Sequence, residues 1–523
     1  MFTEKLWNDW LKKELANYKH TKDKESGKCK KKYLKKGYLH LDKRIWLRGA
    51  DEQKKLKDIL QNPDKIIKRA FHPFLKFILT VPRYKYDSKR ECRRIEYKKR
   101  PINYASNSDA LIYSFYSHCL TKQYESYIHH YKINDCVLAY RTDLSASNID
   151  FSQEVFNHVK TRGECTVLAL DIKGFFDNLD HETLLQQWKK IVCAEETEES
   201  VCQKFGVEKL ADDQFKIFRS LTKFSYINKN SLLRFTGTNL TALDPKPQSL
   251  LELINGSKDS VKFDALRKNN IIVTNINKFG IPQGSPISAL MSNIYMADYD
   301  MAMNSFVNGI GGVYRRYCDD ILLIVNTADV DKAKEFAYNK IEDLKLDIQK
   351  KKEEEIVFKK NSIGKIRSFN AIKLRLEPDV VLDKHNEHKY LKPLQYLGFE
   401  FDGQDIRIRS SSLSRYFRKA KARVTKTVKM AYSPISKGKR IFKKKLYHRY
   451  THIGKRNFVS YALNASRSSY RTISGIDKTG MNAIAIRKQL SRHVKKVLFD
   501  LSQKNARRIS IKSNSGKLIS RKR

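Results

Sequence analysis

The sequence predicts a mixed α+β protein with a basic, helical C-terminal region, and three observations support this fold class. Residues 1–80 carry apolar side chains at helical spacing. Residues 81–405 contain short runs with the alternation or aliphatic content of strands, separated by helical segments. Residues 407–523 contain 34 lysines and arginines but only two acidic residues. We therefore divide the chain at 80/81 and 405/406.

The composition indicates a folded protein with a polyanionic partner. Its 523 residues are 41% hydrophobic and carry a net charge of +47. Such a charge favours nucleic acid as the partner. A membrane partner is disfavoured, because no long apolar run, secretory signal or lipidation signal is found. The eight cysteines form no C-x-x-C pair, which argues against a zinc ribbon and a disulfide scaffold and favours the cytoplasm.

Two basic stretches near the N-terminus have open interpretations. The lysine-rich patch from Lys28 to Lys36 is either a solvated loop or a nucleic-acid contact. Between Arg83 and Arg100, basic residues alternate with apolar ones, which predicts strands with one cationic face. That face suits a phosphate backbone or a nucleoside triphosphate, and a solvated basic hairpin is the alternative.

An aspartate follows a predicted buried strand. Residues 166–170 are aliphatic, and Asp171 comes directly after them. The tight turn at Gly174 leads to Asp180, which we interpret as the N-cap of a helix starting near His181. Asp171 is then free for chemistry, whereas the intervening Phe176 is by default a core residue.

Further along, residues 187–192 and 215–223 predict helices and Asp244–Pro247 a polar loop. The glycine and proline content of residues 279–288 predicts a shaped loop, in which Gly284 would let a flat substrate lie against the backbone. A plain loop is the alternative for this segment.

Two adjacent carboxylates, Asp319 and Asp320, lie between an aromatic-basic run and an aliphatic run, which predicts the tip of a hairpin. Alone, such a pair is more often a solvated turn. With Asp171, however, these carboxylates could hold two Mg²⁺ ions about 3.5–4 Å apart, as in-line phosphoryl transfer requires. Beyond them, residues 331–346 predict an amphipathic helix and residues 394–401 a strand pair with a glycine turn.

The motifs in their order resemble the palm motifs of reverse transcriptases over about residues 90–405. The ordered set is Asp171-x4-Phe176, Pro282–Pro286, Tyr317–Asp320, Lys352 and Leu397–Phe399. The resemblance implies a right-hand polymerase with fingers, a palm with an antiparallel sheet and helices, and a basic helical thumb. It also implies RNA-directed DNA synthesis with an RNA template, a DNA product, dNTPs and two Mg²⁺ ions, and leaves the oligomeric state and the priming mode open.

The resemblance also implies roles for particular residues. Asp171, the Ile172 carbonyl and Asp319 would bind metal, with Asp320 in support. Lys352 would donate a proton to pyrophosphate, although Lys350 and Lys351 leave the register open and a solvated lysine run is the alternative. The nucleotide would be bounded by a gripping arginine, a steric-gate ring and a loop, with a cysteine near the primer end: Arg100, Phe176, Gln283, Gly284 and Cys318. Leu397, Gly398 and Phe399 resemble the primer grip, and a plain hairpin turn would look the same.

Within the family, three segments most resemble the bacterial abortive-infection and defence-associated enzymes. They are residues 280–288, residues 315–320 and Tyr140-Arg141. This likeness implies an antiphage role, often with a dedicated noncoding RNA template. A mobile-element enzyme of the group II intron or retron type, and a catalytically idle RNA-binding protein on the same scaffold, are the alternatives.

Overall fold

The computed structural model describes residues 2–22, 29–33, 38–87, 90–193, 207–237, 239, 249–255, 263–378, 380–433, 441–472 and 474–520. The mixed α+β architecture that the sequence predicts is confirmed. The helices are α1 (Glu4–Leu15), α2 (Ala50–Gln61), α3 (Pro63–Ile67), α4 (Asn107–His130), α5 (Asn148–Arg162), α6 (Phe175–Asn178), α7 (His181–Cys193), α8 (Asp212–Thr222), α9 (Lys229–Phe235), α10 (Leu250–Asn255), α11 (Phe263–Lys268), α12 (Ser288–Tyr295), α13 (Ala297–Gly309), α14 (Val330–Asp343), α15 (Ala371–Leu376), α16 (Ser410–Ala431), α17 (Lys444–Tyr450), α18 (Phe458–Ser466), α19 (Ile484–Leu490) and α20 (His493–Ser520).

The strands form five sheets within these ranges. They are β1 (Tyr18–Lys22), β2 (Cys29–Tyr33), β3 (Phe74–Asp87), β4 (Cys92–Tyr104), β5 (Cys165–Asp171), β6 (Ser225–Asn228), β7 (Ile272–Thr274), β8 (Val313–Tyr317), β9 (Asp320–Val325), β10 (Glu354–Lys360), β11 (Ile366–Asn370), β12 (Leu394–Tyr396), β13 (Phe399–Phe401), β14 (Ile406–Ile408), β15 (Ser469–Arg471) and β16 (Asp477–Thr479).

The central sheet has the strand order β11-β10-β5-β9-β8, and every neighbouring pair is antiparallel. The side chains of residues 321–325 in β9 are all buried, because helices cover one face of this sheet and the β12–β14 sheet lies against the other. A strand buried on both faces reads as a continuous aliphatic run, which is why the sequence identified it. The sheet forms the rigid base on which the predicted site lies.

A long hairpin, β3–β4, belongs to a separate four-stranded sheet of order β4-β3-β6-β7 and pairs residues 75–87 with residues 92–104. Its first strand begins at Phe74, so β3 crosses the predicted boundary at 80/81. The prediction that residues 1–80 are helical is confirmed for α1–α3, but β1 and β2 also lie there. β2 occupies the described part of the lysine-rich patch, so the loop interpretation is wrong for Cys29–Tyr33.

The basic C-terminal region is helical as predicted, with α16 packed against α17 and α20. The hairpin β15–β16 was not predicted, because three-residue strands are too short to show a periodic pattern. Arg418 of α16 lies over the ring of Tyr84 in β3, 3.8 Å from its centroid. This contact joins the C-terminal region to the long hairpin.

Other predicted elements appear with shifted ends. Helices occupy the predicted segments near residues 187–192, 215–223 and 331–346 as α7, α8 and α14, and the segment Asp244–Pro247 lies outside the described residues. Cys193 is disulfide-bonded, a pairing that the cysteine spacing did not predict. Of the helices in the described ranges, none has the length and apolar character needed to cross a membrane.

Candidate active site

The three predicted acidic residues lie near one another at the ends of two inner strands of the central sheet. β5 and β9 are antiparallel neighbours, and their register places Asp171 directly opposite Asp320. The amide of Ile172 donates a hydrogen bond of 3.1 Å to the carbonyl of Asp319, which ties the end of β5 to the β8–β9 turn. The strand-end and hairpin-tip positions expected from sequence are therefore adjacent in space.

The β8–β9 turn has a strained residue beside these carboxylates. Cys318 adopts a left-handed backbone with φ +61°, between the paired residues Tyr317 and Asp320. Its thiol is 6% exposed and accepts a hydrogen bond of 3.4 Å from the hydroxyl of Tyr140. Burial raises the pKa of this thiol to about 12. The Cys318 side chain is thus a neutral packing group, and its nearness to a primer end stays a prediction.

A fully buried ion pair is hydrogen-bonded to the β8–β9 turn. Arg316 donates two hydrogen bonds to Asp300, of 2.7 and 2.5 Å, and a third of 3.1 Å to the carbonyl of Cys318. Tyr314 donates to the same carboxylate. Sequence reasoning missed Asp300. The available signal was that Tyr314 and Arg316 share one face of β8, so a buried arginine there requires a carboxylate partner.

The electrostatics of the carboxylates favour a cation. The pKa of Asp320 is raised to about 6. The main cause is desolvation of the carboxylate by the surrounding protein, and the negative charges of Asp319 and Asp171 add to it. Lys352 and Arg409 oppose this rise, so both cations act on the same group. Asp320 remains accessible to solvent. Arg409, directly before α16, was not singled out from the sequence, because nothing local distinguishes it among the many C-terminal cations.

The structure distinguishes Lys352 from its two neighbours. A short 3₁₀ turn spans Lys350–Lys352, and the Nζ of Lys352 forms an ion pair with Oδ1 of Asp171. The turn is tied to β5 by a hydrogen bond of 2.7 Å from the amide of Gln349 to the carbonyl of Asp171. The backbone position of the turn thus brings Lys352 to Asp171, and the role of Lys352 as a proton donor stays a prediction.

The long hairpin brings further cations toward the same carboxylates. Lys98 and Arg100 lie two residues apart on β4 and so share one face of the strand. Burial, then the positive charges of Arg100, Arg83 and Lys352, lowers the pKa of Lys98, whereas Asp171 raises it. The cationic face predicted from the sequence therefore lies within electrostatic reach of Asp171.

The loop at residues 279–288 forms backbone hydrogen bonds with the segment that contains Phe176, the predicted steric gate. The amide of Ile281 donates to the carbonyl of Phe176 at 2.9 Å, and the amide of Gly280 donates to that of Leu179 at 2.8 Å. The ring of Phe176 is partly buried and lies 5.7 Å from that of Phe175. Phe176 is therefore not a fully enclosed core residue, and part of its surface is available to a substrate.

Gly284 makes a close backbone approach to β4. Its φ is +118°, and a Cβ at this position would lie 2.8 Å from the carbonyl oxygen of Asn103. The amide of Asn103 in turn donates a hydrogen bond of 2.8 Å to the carbonyl of Gln283. Glycine is required here because β4 packs against this position, and the approach of a flat substrate to the Gly284 backbone stays a prediction. A role of Gln283 and Gly284 in bounding a nucleotide stays a prediction.

The predicted primer-grip segment is a tight hairpin next to the carboxylates. Leu397 and Gly398 both have positive φ, +43° and +97°, and form a two-residue turn between β12 and β13. Phe399 is fully buried, and Tyr396 pairs with it. Burial, followed by the charge of Asp320, raises the pKa of Tyr396, which indicates that the hairpin lies near that carboxylate.

The donor set fits a divalent cation in its chemistry. Asp171, Asp319, Asp320 and the Ile172 carbonyl offer oxygen ligands, which Mg²⁺ prefers. The raised pKa of Asp320 reflects desolvation first and then the negative charges of Asp319 and Asp171, which a cation would offset. In the part of the chain that the structure describes, however, no three histidine, cysteine or acidic side chains are already gathered as a metal-binding group. The ion pair of Lys352 with Asp171 currently supplies part of the compensating charge.

Comparison with known families agrees with this geometry. Residues 247–401 match the family model described as reverse transcriptase (RNA-dependent DNA polymerase). This segment of the chain is therefore similar to the reverse transcriptase domain of an RNA-directed DNA polymerase. The mixed α+β fold with an antiparallel central sheet is consistent with that of a right-hand polymerase. The matched range includes Gln283, Asp319 and Lys352, whereas Arg100 and Asp171 precede it.

Among solved structures, the chain is similar to yeast telomerases. Truncated apo telomerase from Candida tropicalis has a TM-score of 0.38 and 11% identity, over 76% of this chain and 64% of that one. Telomerase from Candida albicans with a fragment of telomeric RNA has a TM-score of 0.38 and 12% identity, over 97% and 59%. The chain thus spans about three fifths of the length of these structures. No curated protein matches the sequence.

Proposed function

We propose that the protein is an RNA-directed DNA polymerase that extends a primer with dNTPs by phosphoryl transfer. The observation that carries this proposal is the register of β5 and β9, which places Asp171 opposite Asp320 with Asp319 in the adjoining turn. Two strand-end carboxylates in this arrangement suit two divalent cations, for which we propose Mg²⁺. Bound there, the cations would lower the pKa of the attacking 3′-hydroxyl and neutralise charge on the leaving pyrophosphate.

The surrounding side chains have complementary tasks in this proposal. Lys98 and Arg100 hold the triphosphate, whose charge matches the cationic face of β4. Phe176 limits space at the 2′ position of the sugar and so favours deoxynucleotides. Lys352 leaves Asp171 when cations bind and donates a proton to pyrophosphate, which requires the Nζ to be mobile; its side chain is 46% exposed.

The proposed template is RNA, and the charge of the chain supports a polyanionic partner. The net charge is +47, and the region from residue 407 to residue 523 has few acidic groups. Aromatic side chains run through the same region, where they can stack on bases. The hairpin at Leu397–Phe399 would hold the primer beside Asp320.

The likeness of residues 280–288 and 315–320 to defence-associated enzymes supports a narrower proposal, a role of a bacterial protein in antiphage defence with a dedicated noncoding RNA. Phage plating on cells expressing the wild type or a polymerase-dead variant tests this role. Equal protection by both would contradict it. Sequencing the copurified nucleic acid would identify the template and its product together, and recovery of an intron or retron RNA would favour the mobile-element alternative.

The experiment for the polymerase activity compares two double variants. Asp319→Ala with Asp320→Ala removes two of the three carboxylates, whereas Glu342→Ala with Asp343→Ala removes the same charge from the exposed end of α14. We expect the first variant to lose Mg²⁺-dependent incorporation of labelled dNTPs and to keep RNA binding, and the second to retain both. Synthesis by the first variant would refute the proposal. Wild-type protein that binds RNA but never incorporates dNTPs would support the idle RNA-binding alternative.

A further inference from the structure

Four cationic side chains surround a cavity of about 300 Å³ beside α8. One lies between α3 and β3, and the other three lie on or directly after α8: Arg69, Lys216, Arg219 and Lys223. The described residues that line the cavity include no acidic side chain. The cavity is therefore a concentrated positive surface.

The nearby carboxylates are already occupied by other groups. Asp109 is 1% exposed and binds Arg69 at 2.7 Å and the amide of His72 at 2.9 Å. At the start of α8, Asp212 pairs with Lys209 at 3.0 Å, and Asp213 accepts the hydroxyl proton of Tyr116 at 2.6 Å. Of the four cations around the cavity, only Arg69 is thus neutralised by these groups.

The remaining three cations share one helix face. Lys216, Arg219 and Lys223 follow each other at intervals of three and four residues. Within the described ranges, no carboxylate lies within 4.0 Å of their nitrogens. Cations near a helix C-terminus offset the helix dipole, but only the last turn contributes to that effect. Three unpaired cations around a concave surface repel one another and favour an anion between them.

The position of the cavity connects it to the candidate active site. The side-chain amide of Asn275 donates to the carbonyl of Thr222 at 2.9 Å and to that of Phe279 at 3.3 Å. The C-terminal end of α8 is therefore bonded to the segment that leads into Gln283 and Gly284. A strand bound at the cavity would therefore lie close to this segment of the chain.

We propose that this cavity, the α8 phosphate pocket, binds a backbone phosphate of a single RNA strand. The inference rests on the proposed function, in which the protein copies an RNA template. RNA is favoured over a free nucleotide because the pocket is an open surface of cations and because the whole chain carries a net charge of +47. Phe71, which also lines the cavity, offers an aromatic surface beside the phosphate.

The test compares two triple variants with the same loss of charge. The pocket variant removes the three unpaired cations by the substitutions Lys216→Gln, Arg219→Gln and Lys223→Gln. The control variant carries Lys54→Gln, Lys55→Gln and Lys332→Gln at exposed positions of α2 and α14. Binding of a labelled single-stranded RNA is measured by fluorescence anisotropy over a series of salt concentrations, with thermal melting to verify folding.

We expect the affinity of the pocket variant for RNA to fall by about tenfold or more at low salt. We also expect the slope of log K against log salt to decrease by about 0.7 for each backbone phosphate that the variant no longer binds. The control variant should stay within about twofold of wild type. Equal decreases in both variants, or an unchanged affinity in the pocket variant, would overturn the proposal.

Two additional measurements separate this proposal from triphosphate binding at the same pocket and from the proposed polymerase activity. Titration with a nucleoside triphosphate in the absence of RNA tests the other phosphate source. Loss of triphosphate binding in the pocket variant, with unchanged RNA binding, would overturn the RNA assignment. Incorporation on a primed template tests the polymerase itself: wild-type protein that binds RNA through the pocket but incorporates nothing would refute the proposed function and leave the pocket in place.

Discussion

The guanidinium of Arg316 and the carboxylate of Asp300 form a two-point ion pair, and both side chains are completely buried. The third contact of this guanidinium, 3.1 Å to the carbonyl of Cys318, connects the pair to the turn that precedes Asp319. The ion pair therefore determines where the strained turn lies relative to β5. Asp300 is supplied by α13, whose packing against β8 brings the two groups together.

Removing one partner of this ion pair should destabilise the protein strongly. Arg316→Met leaves the Asp300 carboxylate buried without its cation, and we expect the free energy of unfolding to fall by about 3–5 kcal/mol. Combining Arg316→Met with Asp300→Leu should recover much of this loss, because no uncompensated charge remains. Equilibrium denaturation measures both variants. The neighbouring Arg315→Met, which breaks a partly exposed pair with Glu154, is the matched control and should cost clearly less. Equal decreases in the free energy of unfolding for Arg316→Met and Arg315→Met would contradict the importance given to the buried ion pair.

Lys352 should be distinguishable from the two lysines beside it. Lys352→Ala removes the ammonium group that contacts Asp171, and we expect incorporation to slow by roughly 10²–10⁴-fold, the range for loss of a general acid. Lys350→Ala and Lys351→Ala should have little effect, because Lys352 is the one of the three whose ammonium group pairs with Asp171 in the described residues. Single-turnover dNTP incorporation measures the three variants. A similar decrease in all three would indicate a general charge effect instead.

Phe176 should control the choice of sugar. Phe176→Val shortens a partly exposed side chain next to the loop at residues 279–288, and we expect discrimination against ribonucleotides to weaken by roughly tenfold or more. The ratio of kcat/KM for a dNTP and the matching rNTP measures this effect. Phe175→Val, in the buried neighbour, should lower thermal stability and leave the ratio unchanged. An unchanged ratio in Phe176→Val would remove Phe176 from the nucleotide site.

Stability should fall as the solution becomes acidic, because two histidines resist protonation in the folded state. Burial lowers the pKa of His40 and of His118 to about 4, from an ordinary value of 6.5. The unfolded chain therefore binds more protons between these values, and stability decreases as the pH falls from about 6.5 to about 4. His72 has the opposite sign: its hydrogen bond to Asp109 raises its pKa, so its stabilising effect is complete below 6.5 and is lost as the pH rises through the folded value.

Thermal melting at pH 7.5 and pH 4.5 checks these signs. His118→Gln should reduce the drop in Tm between the two conditions, because it removes a group that protonates preferentially on unfolding. His72→Gln should enlarge the drop, because it removes a group that stabilises the folded state at acidic pH. The same drop in wild type and His118→Gln would show that His118 does not contribute.

Local patterns were sufficient to identify the carboxylates. An aliphatic run that ends in Asp171, and two runs that flank Asp319 and Asp320, specify strand ends and a hairpin tip from residues close in sequence. The N-cap role of Asp180 was predicted for the same reason and is confirmed by a hydrogen bond of 2.9 Å from the amide of Thr183. Such features depend on backbone geometry within a few residues, which a single sequence shows directly.

By itself, the sequence determined the α+β class, the basic C-terminal region, and the positions of Asp171, Asp319 and Asp320 at a strand end and a hairpin tip. Only the tertiary structure decided which of three lysines reaches Asp171, which acid neutralises Arg316, and which backbone Gly284 contacts. It also brought Arg69 to the cations of α8, across more than a hundred residues of sequence. These relationships depend on the packing of elements that are distant in the chain, and a periodic pattern identifies the buried face of an element but not its partner.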